Sequence, residues 1–265
     1  MDGAWALFEA WIRLQVGDVD TAVVIGSGKS SPGRHDEVFA LQTDPYVMAP
    51  LGLDPTSLAG LQARALLDAG LADERDFAEV VAASHAVTGR GSTDVDELLA
   101  APYRSAPLRH HDVSPSGDGA VAVVLAVGDR AREITDSPVW IRGMDHRIES
   151  HHPGLRDLTD SASTRLAKAA IGLNGTSVDV AELMVGHSHE EIVLRRALNG
   201  TLGEGTVVNP SGGPLGGDPV MATGLIRVAE VARRIAAGDA GRGLAHASSG
   251  PCLQQNLLCL MEGAN

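Results

Sequence analysis

Trp5, Phe8, Ile12 and Val16 recur at helical spacing, which predicts an amphipathic helix over Met1–Val16. Asp2 stands in its first turn, where a carboxylate suits the helix dipole. Gly17 ends that helix, and the run Thr21-Ala-Val-Val-Ile predicts a strand over Asp20–Gly28. Pro32, Pro45, Pro50 and Pro55 then break the chain into turns. Helical runs follow near Ser57–Ala69 and Asp73–Thr88, with a shorter one at Val95–Leu99. The unbroken apolar segment Gly119–Val127 predicts a buried strand, and Val139–Ile148 another. Beyond it come a helix over Ser161–Gly172 with Ser161 as N-cap, a strand over Val178–Met184 and a helix over Glu190–Leu198. A Gly-rich loop, Val207–Gly217, leads to a long helix over Ala222–Ala237 with Leu225, Val228, Ala229, Ala232 and Ile235 on one face. Arg242–Ser248 and Leu257–Glu262 close the chain as strands that can pair across a Gly-Pro turn. The second half therefore reads as a β-α-β-α-loop-α-β-β unit of an α/β protein. A doubly wound sheet normally opens with a strand, so the helix-first opening implies elements upstream.

Composition narrows the function more than the fold. Forty-four per cent hydrophobic residues in 265 can fill a core, which excludes a disordered chain. Three Trp, two Tyr and three Phe are too few for base-stacking recognition, and a net charge of −13 without a basic stripe argues against nucleic-acid binding. Cys252 and Cys259, close together in an apolar stretch, read as reduced thiols rather than a disulfide framework. The N-terminus carries no basic, apolar signal pattern, and no apolar run reaches a membrane span. A soluble, cytoplasmic protein that engages no membrane is expected.

The chemistry concentrates in Asn209-Pro-Ser-Gly-Gly-Pro-Leu-Gly-Gly-Asp-Pro-Val-Met-Ala-Thr-Gly224, a Gly/Pro-rich loop running into a helix whose free amides could stabilise an anion. That segment resembles the thiolase superfamily's Asn-Pro-x-Gly-Gly followed by Gly-His-Pro-x-Gly-x-Thr/Ser-Gly. The matches are Asn209, Pro210, Gly212, Gly213, Gly217, Pro219, Thr223 and Gly224. Three further stretches agree in order: Gly17–Gly26, then Pro107-Leu108 with Ser114-Pro-Ser-Gly-Asp-Gly-Ala120, then Val180-Ala-Glu-Leu183. The version is closest to the sterol-carrier or lipid-transfer type, and the resemblance covers nearly the whole chain.

The resemblance implies a layered α-β-α-β-α fold built of two similar halves, the second complete and the first partial. Residues 138–265 would be the second half, 32–106 an inserted loop domain, and 1–31 with 107–137 the end of a first half short at its N-terminus. It also implies a homodimer acting on acyl-CoA thioesters in lipid or sterol breakdown, with coenzyme A as part of the substrate and no tightly bound cofactor. Ser211, Gly212, Gly213, Gly217, Thr223 and Gly224 would line the thioester site.

The departures from the family pattern matter as much. No cysteine occurs in residues 1–251, so the acyl-accepting nucleophile is absent. The family's histidine is Asp218, its second cysteine aligns with Ser248, and its oxyanion-hole Asn or His with Met184. Thiolysis is therefore not expected. Two outcomes remain. One is retro-aldol cleavage of a β-hydroxyacyl-CoA, which needs a base and an oxyanion site and in relatives involves a small OB-fold, zinc-ribbon partner. The other is a catalytically degenerate acyl-CoA-binding or scaffold subunit. Asp218, His187, His189 and Ser248 are the catalytic candidates. For the two histidines, helix capping or a buried hydrogen-bonded ring is the competing reading. The His-x-His spacing lacks a third ligand, so no metal is assigned. Gly26-Ser-Gly-Lys-Ser30 fails as a phosphate-binding loop because Val23 stands where its first glycine belongs.

Overall fold

The computed structural model describes residues 1–263; positions 264 and 265, the end of the range expected for the second half, lie outside the described residues. The chain runs through α1 (Asp2–Gln15), β1 (Thr21–Lys29), α2 (His35–Ala40), α3 (Pro55–Asp68), α4 (Glu74–Thr88) and α5 (Val95–Ala100). It continues through β2 (Tyr103–Ser105), β3 (Leu108–Arg109), β4 (Asp118–Ala126), α6 (Gly128–Ile134), β5 (Val139–Ile148) and α7 (Ala162–Ala170). The last elements are β6 (Val180–Glu182), α8 (Ser188–Ala197), β7 (Val207–Val208), α9 (Thr223–Ala236), β8 (Arg242–Ser249) and β9 (Gln255–Gly263). Most predicted elements form close to their expected bounds, but the strand expected over Val178–Met184 is limited to Val180–Glu182, and the loop expected from Val207 opens with the two-residue strand β7. The small hairpin β2–β3 and the helices α2 and α6 were not legible, being short and without a repeating apolar face.

Local chemistry sets the helix boundaries. Asp54 and Asp73 cap α3 and α4, each accepting the amide three residues on, while Ser57 and Asp76 reach back to the cap amides. Ser161 caps α7 as expected from its sequence position.

Five strands form the main sheet in the order β5-β9-β8-β6-β7. β6 is parallel to β7 and β8, whereas β9 is antiparallel to both β8 and β5. One face of this sheet packs on α3, α4, α7 and α8 through a core that includes Leu66, Phe77, Leu183, Leu194 and Leu258. The other face packs on α1 and α9 through Leu7, Leu225, Val228, Ala245 and Leu257. Each fully buried leucine among these contributes roughly 2 kcal/mol of burial free energy.

β1 and β4 pair along their whole lengths as a separate antiparallel ribbon on the far side of α1 and α9. The structure corrects one expectation here. The apolar run of β4 predicts a strand buried on both faces, yet β4 alternates between exposed and half-buried positions, with Val124 60% exposed. Its inward residues Val121, Val123 and Leu125 pack on the α1–α9 layer. No strand other than β1 pairs with β4 among the described residues, so an apolar outward residue has nothing to cover it.

Candidate functional site

β6 ends at Glu182 opposite Ala245 of the parallel strand β8, which runs on to Ser249, and the segments beyond Glu182 and Ala245 gather most of the chemistry. Ser248, at the end of β8, donates its hydroxyl to the Met184 carbonyl at 3.1 Å. Three residues past Met184, His187 opens α8. Residues 113–115 run between this helix start and the loop before α9. Val113 bridges His187, Ser114 donates its amide to the Gly186 carbonyl at 2.9 Å, and Asp218 donates its amide to the Pro115 carbonyl at 2.9 Å. Three of the four catalytic candidates, Asp218, His187 and Ser248, are thus brought into one neighbourhood. Both central helices begin beside it: Gly3 of α1 donates its amide to the Met221 carbonyl at 3.1 Å, just before α9 starts. Gly224 lets them approach, because a Cβ there would lie 2.9 Å from the Ala247 Cβ and 3.1 Å from the Ala4 Cβ.

Asp218 is heavily engaged. Its Oδ1 accepts the Val220 amide at 2.8 Å and the Thr223 hydroxyl, and its Oδ2 accepts the Ser114 hydroxyl at 3.2 Å. Val220 sits at φ +49, a left-handed conformation that a β-branched residue rarely adopts. The carboxylate therefore braces a strained turn at the head of α9.

His187 is paired with a residue that the sequence reading passed over. Glu190 accepts the Gly186 amide at 2.7 Å, the His187 amide at 3.2 Å and the His187 Nδ1 at 3.3 Å. Burial alone would raise the Glu190 carboxyl, but the hydrogen bond and charge of His187, together with His189 and the Gly186 amide, hold it below the usual range. The signal was present in the spacing: a carboxylate three residues after a helix's first cap is the reciprocal half of a capping box.

His189, its ring centroid 5.9 Å from that of His187, is turned into the core. It is enclosed against Phe77, and its Nε2 meets the Gln62 Oε1 at 3.1 Å. Burial pushes its imidazole down to about 3. His246, on β8, is likewise buried and pushed down to about 4, with Nε2 on the Asn256 Oδ1 at 2.8 Å. Gln62 and Asn256 use their amide nitrogens on the Leu158 and Leu253 carbonyls, so each oxygen faces its histidine and each Nε2 carries a proton. Both rings are then neutral acceptors at Nδ1, where neither has a partner among the described residues.

The Asn209–Gly224 loop holds itself together by internal contacts. Asn209 accepts the Leu183 amide at 2.7 Å and donates to Glu191 at 2.8 Å. Ser211 donates to the Glu182 carboxylate at 2.8 Å, and Arg227 reaches both Glu182 and Ser211 at 2.5 Å. Glu182 and Arg227 form a buried ion pair beneath α9. Gly212 (φ +87) and Gly213 (φ +62) turn the chain over α4, where a Cβ on Gly212 would lie 2.4 Å from the Thr88 Cγ2. Ser211, Gly212 and Gly213 are thus engaged with the scaffold, whereas Thr223 and Gly224 stand at the head of α9 and Gly217 leads directly into Asp218.

Cys252 and Cys259 are free and buried, and burial pushes both thiols up to about 12. Cys252 donates to the Leu58 carbonyl at 3.3 Å. Neither can supply a thiolate nucleophile near neutral pH. No group of three or more His, Cys, Asp or Glu suited to a metal ion occurs among the described residues. No described helix is long and apolar enough to cross a membrane.

An aldolase described as "Ltp2-ChsH2(DUF35) aldolase" superposes with a TM-score of 0.78 at 19% identity, covering 98% of this chain and 78% of that one. Human mitochondrial 3-ketoacyl-CoA thiolase superposes at 0.77 with 14% identity, covering 99% and 77% of the two chains. The acetyl-CoA acetyltransferase of Bacillus anthracis follows at 0.74 with 16% identity, covering 99% and 76%. The chain has the thiolase fold. In sequence it is 30% identical to an acetyl-CoA acetyltransferase of Methanothermobacter thermautotrophicus, over 56% of this chain and 44% of that protein. It therefore spans less than half the length of the curated relative that it matches. No protein-family model matches the chain. The resemblance to the thiolase superfamily drawn from the motifs agrees with these likenesses, as does a partial thiolase-type domain, since the chain covers about three quarters of each of these structures.

Proposed function

We propose that the protein is a thiolase-fold lyase that cleaves a carbon–carbon bond in a β-hydroxyacyl-CoA by a retro-aldol step. The observation that carries this reading is the placement of the cysteines. Both are buried in the core, with thiols raised to about 12 by that burial. A thiolase reaction needs a cysteinyl thioester, and neither of these two thiols offers a reactive thiolate for it. A retro-aldol step needs only a base for the hydroxyl and donors for the thioester enolate. Asp218 and His187 are the candidate bases, and the positive ends of α1 and α9 converge beside them. The fold likeness to an aldolase agrees with this chemistry.

In this reading the substrate is a coenzyme A thioester from lipid or sterol breakdown, used without a tightly bound cofactor. The protein works as a dimer in the cytoplasm. A second protein is its partner, as the two-component name of the aldolase relative suggests, and the family resemblance makes that partner a small OB-fold, zinc-ribbon protein.

A second reading, an acyl-CoA-binding scaffold, is favoured by the engagement of Asp218, whose carboxylate already serves three donors. Incubation with β-hydroxyacyl-CoA and with β-ketoacyl-CoA plus coenzyme A, alone and with OB-fold partners, separates the readings. Cleavage of the hydroxyacyl substrate alone is expected. Thioester binding without turnover in every combination would establish the scaffold, and thiolysis would overturn both.

A further inference from the structure

We propose that His187, oriented by Glu190, is the base that moves the proton in this site, and that Asp218 is a positioning residue holding the head of α9. The assignment deepens the lyase reading above and rests on it. An ionised carboxylate can only accept, so the 3.3 Å contact to Glu190 places the imidazole proton on Nδ1 and leaves the lone pair on Nε2. Glu190 is in turn fixed by the amides of Gly186 and His187, so the ring and its carboxylate are locked to one helix start. This is the arrangement that orients a catalytic imidazole: a base held in the productive tautomer by a buried carboxylate.

The competing groups are committed elsewhere. Protonating Asp218 would remove acceptor capacity that the strained Val220 turn uses through the Val220 amide and the Thr223 hydroxyl. His189 and His246 are enclosed, with their Nε2 protons tied to Gln62 and Asn256. His187 alone of the three is incompletely buried, its side chain 14% exposed. The charged and titratable groups around it are Glu190 and His189 on α8, Asp112, which the Ser188 hydroxyl binds at 2.6 Å, and Asp218 across Ser114.

The step balances with one proton. The His187 Nε2 takes the β-hydroxyl proton as the hydroxyl oxygen becomes a carbonyl. The Cα–Cβ bond breaks, and its electron pair moves to Cα and onto the thioester oxygen as an enolate. The imidazolium then returns the proton to Cα. A ketone or aldehyde and a shortened acyl-CoA leave, with no change of oxidation level overall.

The full chain, with its partner if turnover requires one, is assayed on β-hydroxyacyl-CoA across pH. His187→Gln is expected to lose 10²- to 10⁴-fold, about the usual contribution of a positioned base, together with the acidic limb of the pH profile. His187→Gly is expected to regain part of its rate with added imidazole. Glu190→Gln should fall by up to about 10⁴-fold, the loss seen when the carboxylate that orients a catalytic imidazole becomes an amide. Asp218→Asn should slow the reaction while keeping the acidic limb. A folded His187→Gln enzyme that keeps that limb, with no imidazole rescue of His187→Gly, would overturn the assignment.

A readout independent of turnover separates this failure from failure of the lyase reading. Carbethoxylation by diethyl pyrocarbonate, mapped by mass spectrometry, should reach His187 faster in the parent protein than in Glu190→Gln. Equal rates overturn the pairing. Faster modification in the parent without any turnover of hydroxyacyl-CoA leaves the pairing standing and removes the lyase.

Discussion

The hairpin β8–β9 and the ribbon β1–β4 are the same local object in two settings. Each is a long antiparallel pair that packs one face on the helix preceding its first strand, α9 for β8 and α1 for β1. Yet Gly243–Ala247 and Asn256–Met261 are buried at every position, whereas β1 and β4 bury or half-bury only alternate residues. The difference is in what surrounds them. β8 is flanked by β6, β9 by β5, and α7 and α8 belong to the core on the hairpin's second face. The ribbon has neither flanking strands nor an outer helical layer among the described residues, and Val23, Ile25 and Val124 point outward, each at least 60% exposed. A groove of about 510 Å³ follows the free edge of β4, lined by Trp11, Leu14, Val124, Ile134 and Trp140, and none of the candidate site residues lines it. Apolar composition made both pairs strands. Neighbours alone made one of them core.

The contrast can be broken most sharply at Arg227. Replacing it by Ala leaves the Glu182 carboxylate buried without its ion partner, which should cost about 3–5 kcal/mol. Urea unfolding monitored with amide hydrogen exchange should show that β6 and β8 lose protection. A variant with an unchanged midpoint would show that water reaches the pair.

Acid should act on the same half. His189 and His246 both flank the five-stranded sheet, and neither β1 nor β4 contains a histidine. Their folded values, about 3 and about 4, lie below the unfolded value near 6.5. The unfolded chain therefore takes up protons first. Their contribution is fully present above about pH 6.5 and is lost as pH falls toward the folded values. At pH 5 each histidine should cost roughly 2 kcal/mol, at 1.36 kcal/mol per unit. Urea midpoints at pH 7.5 and pH 5 check this. Equal midpoints would mean that the rings are open to protons.

The smallest effect is expected on the ribbon. Val124→Thr keeps β-branching on an outward position and should change stability by less than about 0.5 kcal/mol. A larger loss in thermal unfolding would show that something covers that face in solution.

Much of the fold was legible because helix and strand periodicities are local. The face Leu225–Val228–Ile235 of α9 was readable residue by residue, and so was the pairing of β8 with β9 across a tight turn. The site was legible only in part. Motif order singled out Asp218 and Ser248, and His187 was named for lying just past Met184; the structure brings the three close together. Glu190 was within reach, since its partner lies three residues away. The contact of His189 with Gln62 spans 127 positions, and periodicity carries no information about such a pair. The same holds for Arg227 behind Glu182, 45 positions apart.

The residues by themselves determined the order of helices and strands, because that order is a property of the chain and survives any packing. The tertiary structure alone decided which apolar strands are core, which of two nearly adjacent histidines is enclosed and which is oriented by a carboxylate, and that Asp218 braces a strained turn. Those outcomes depend on what distant segments bring to each side chain: a covering layer, a donor or an enclosing wall.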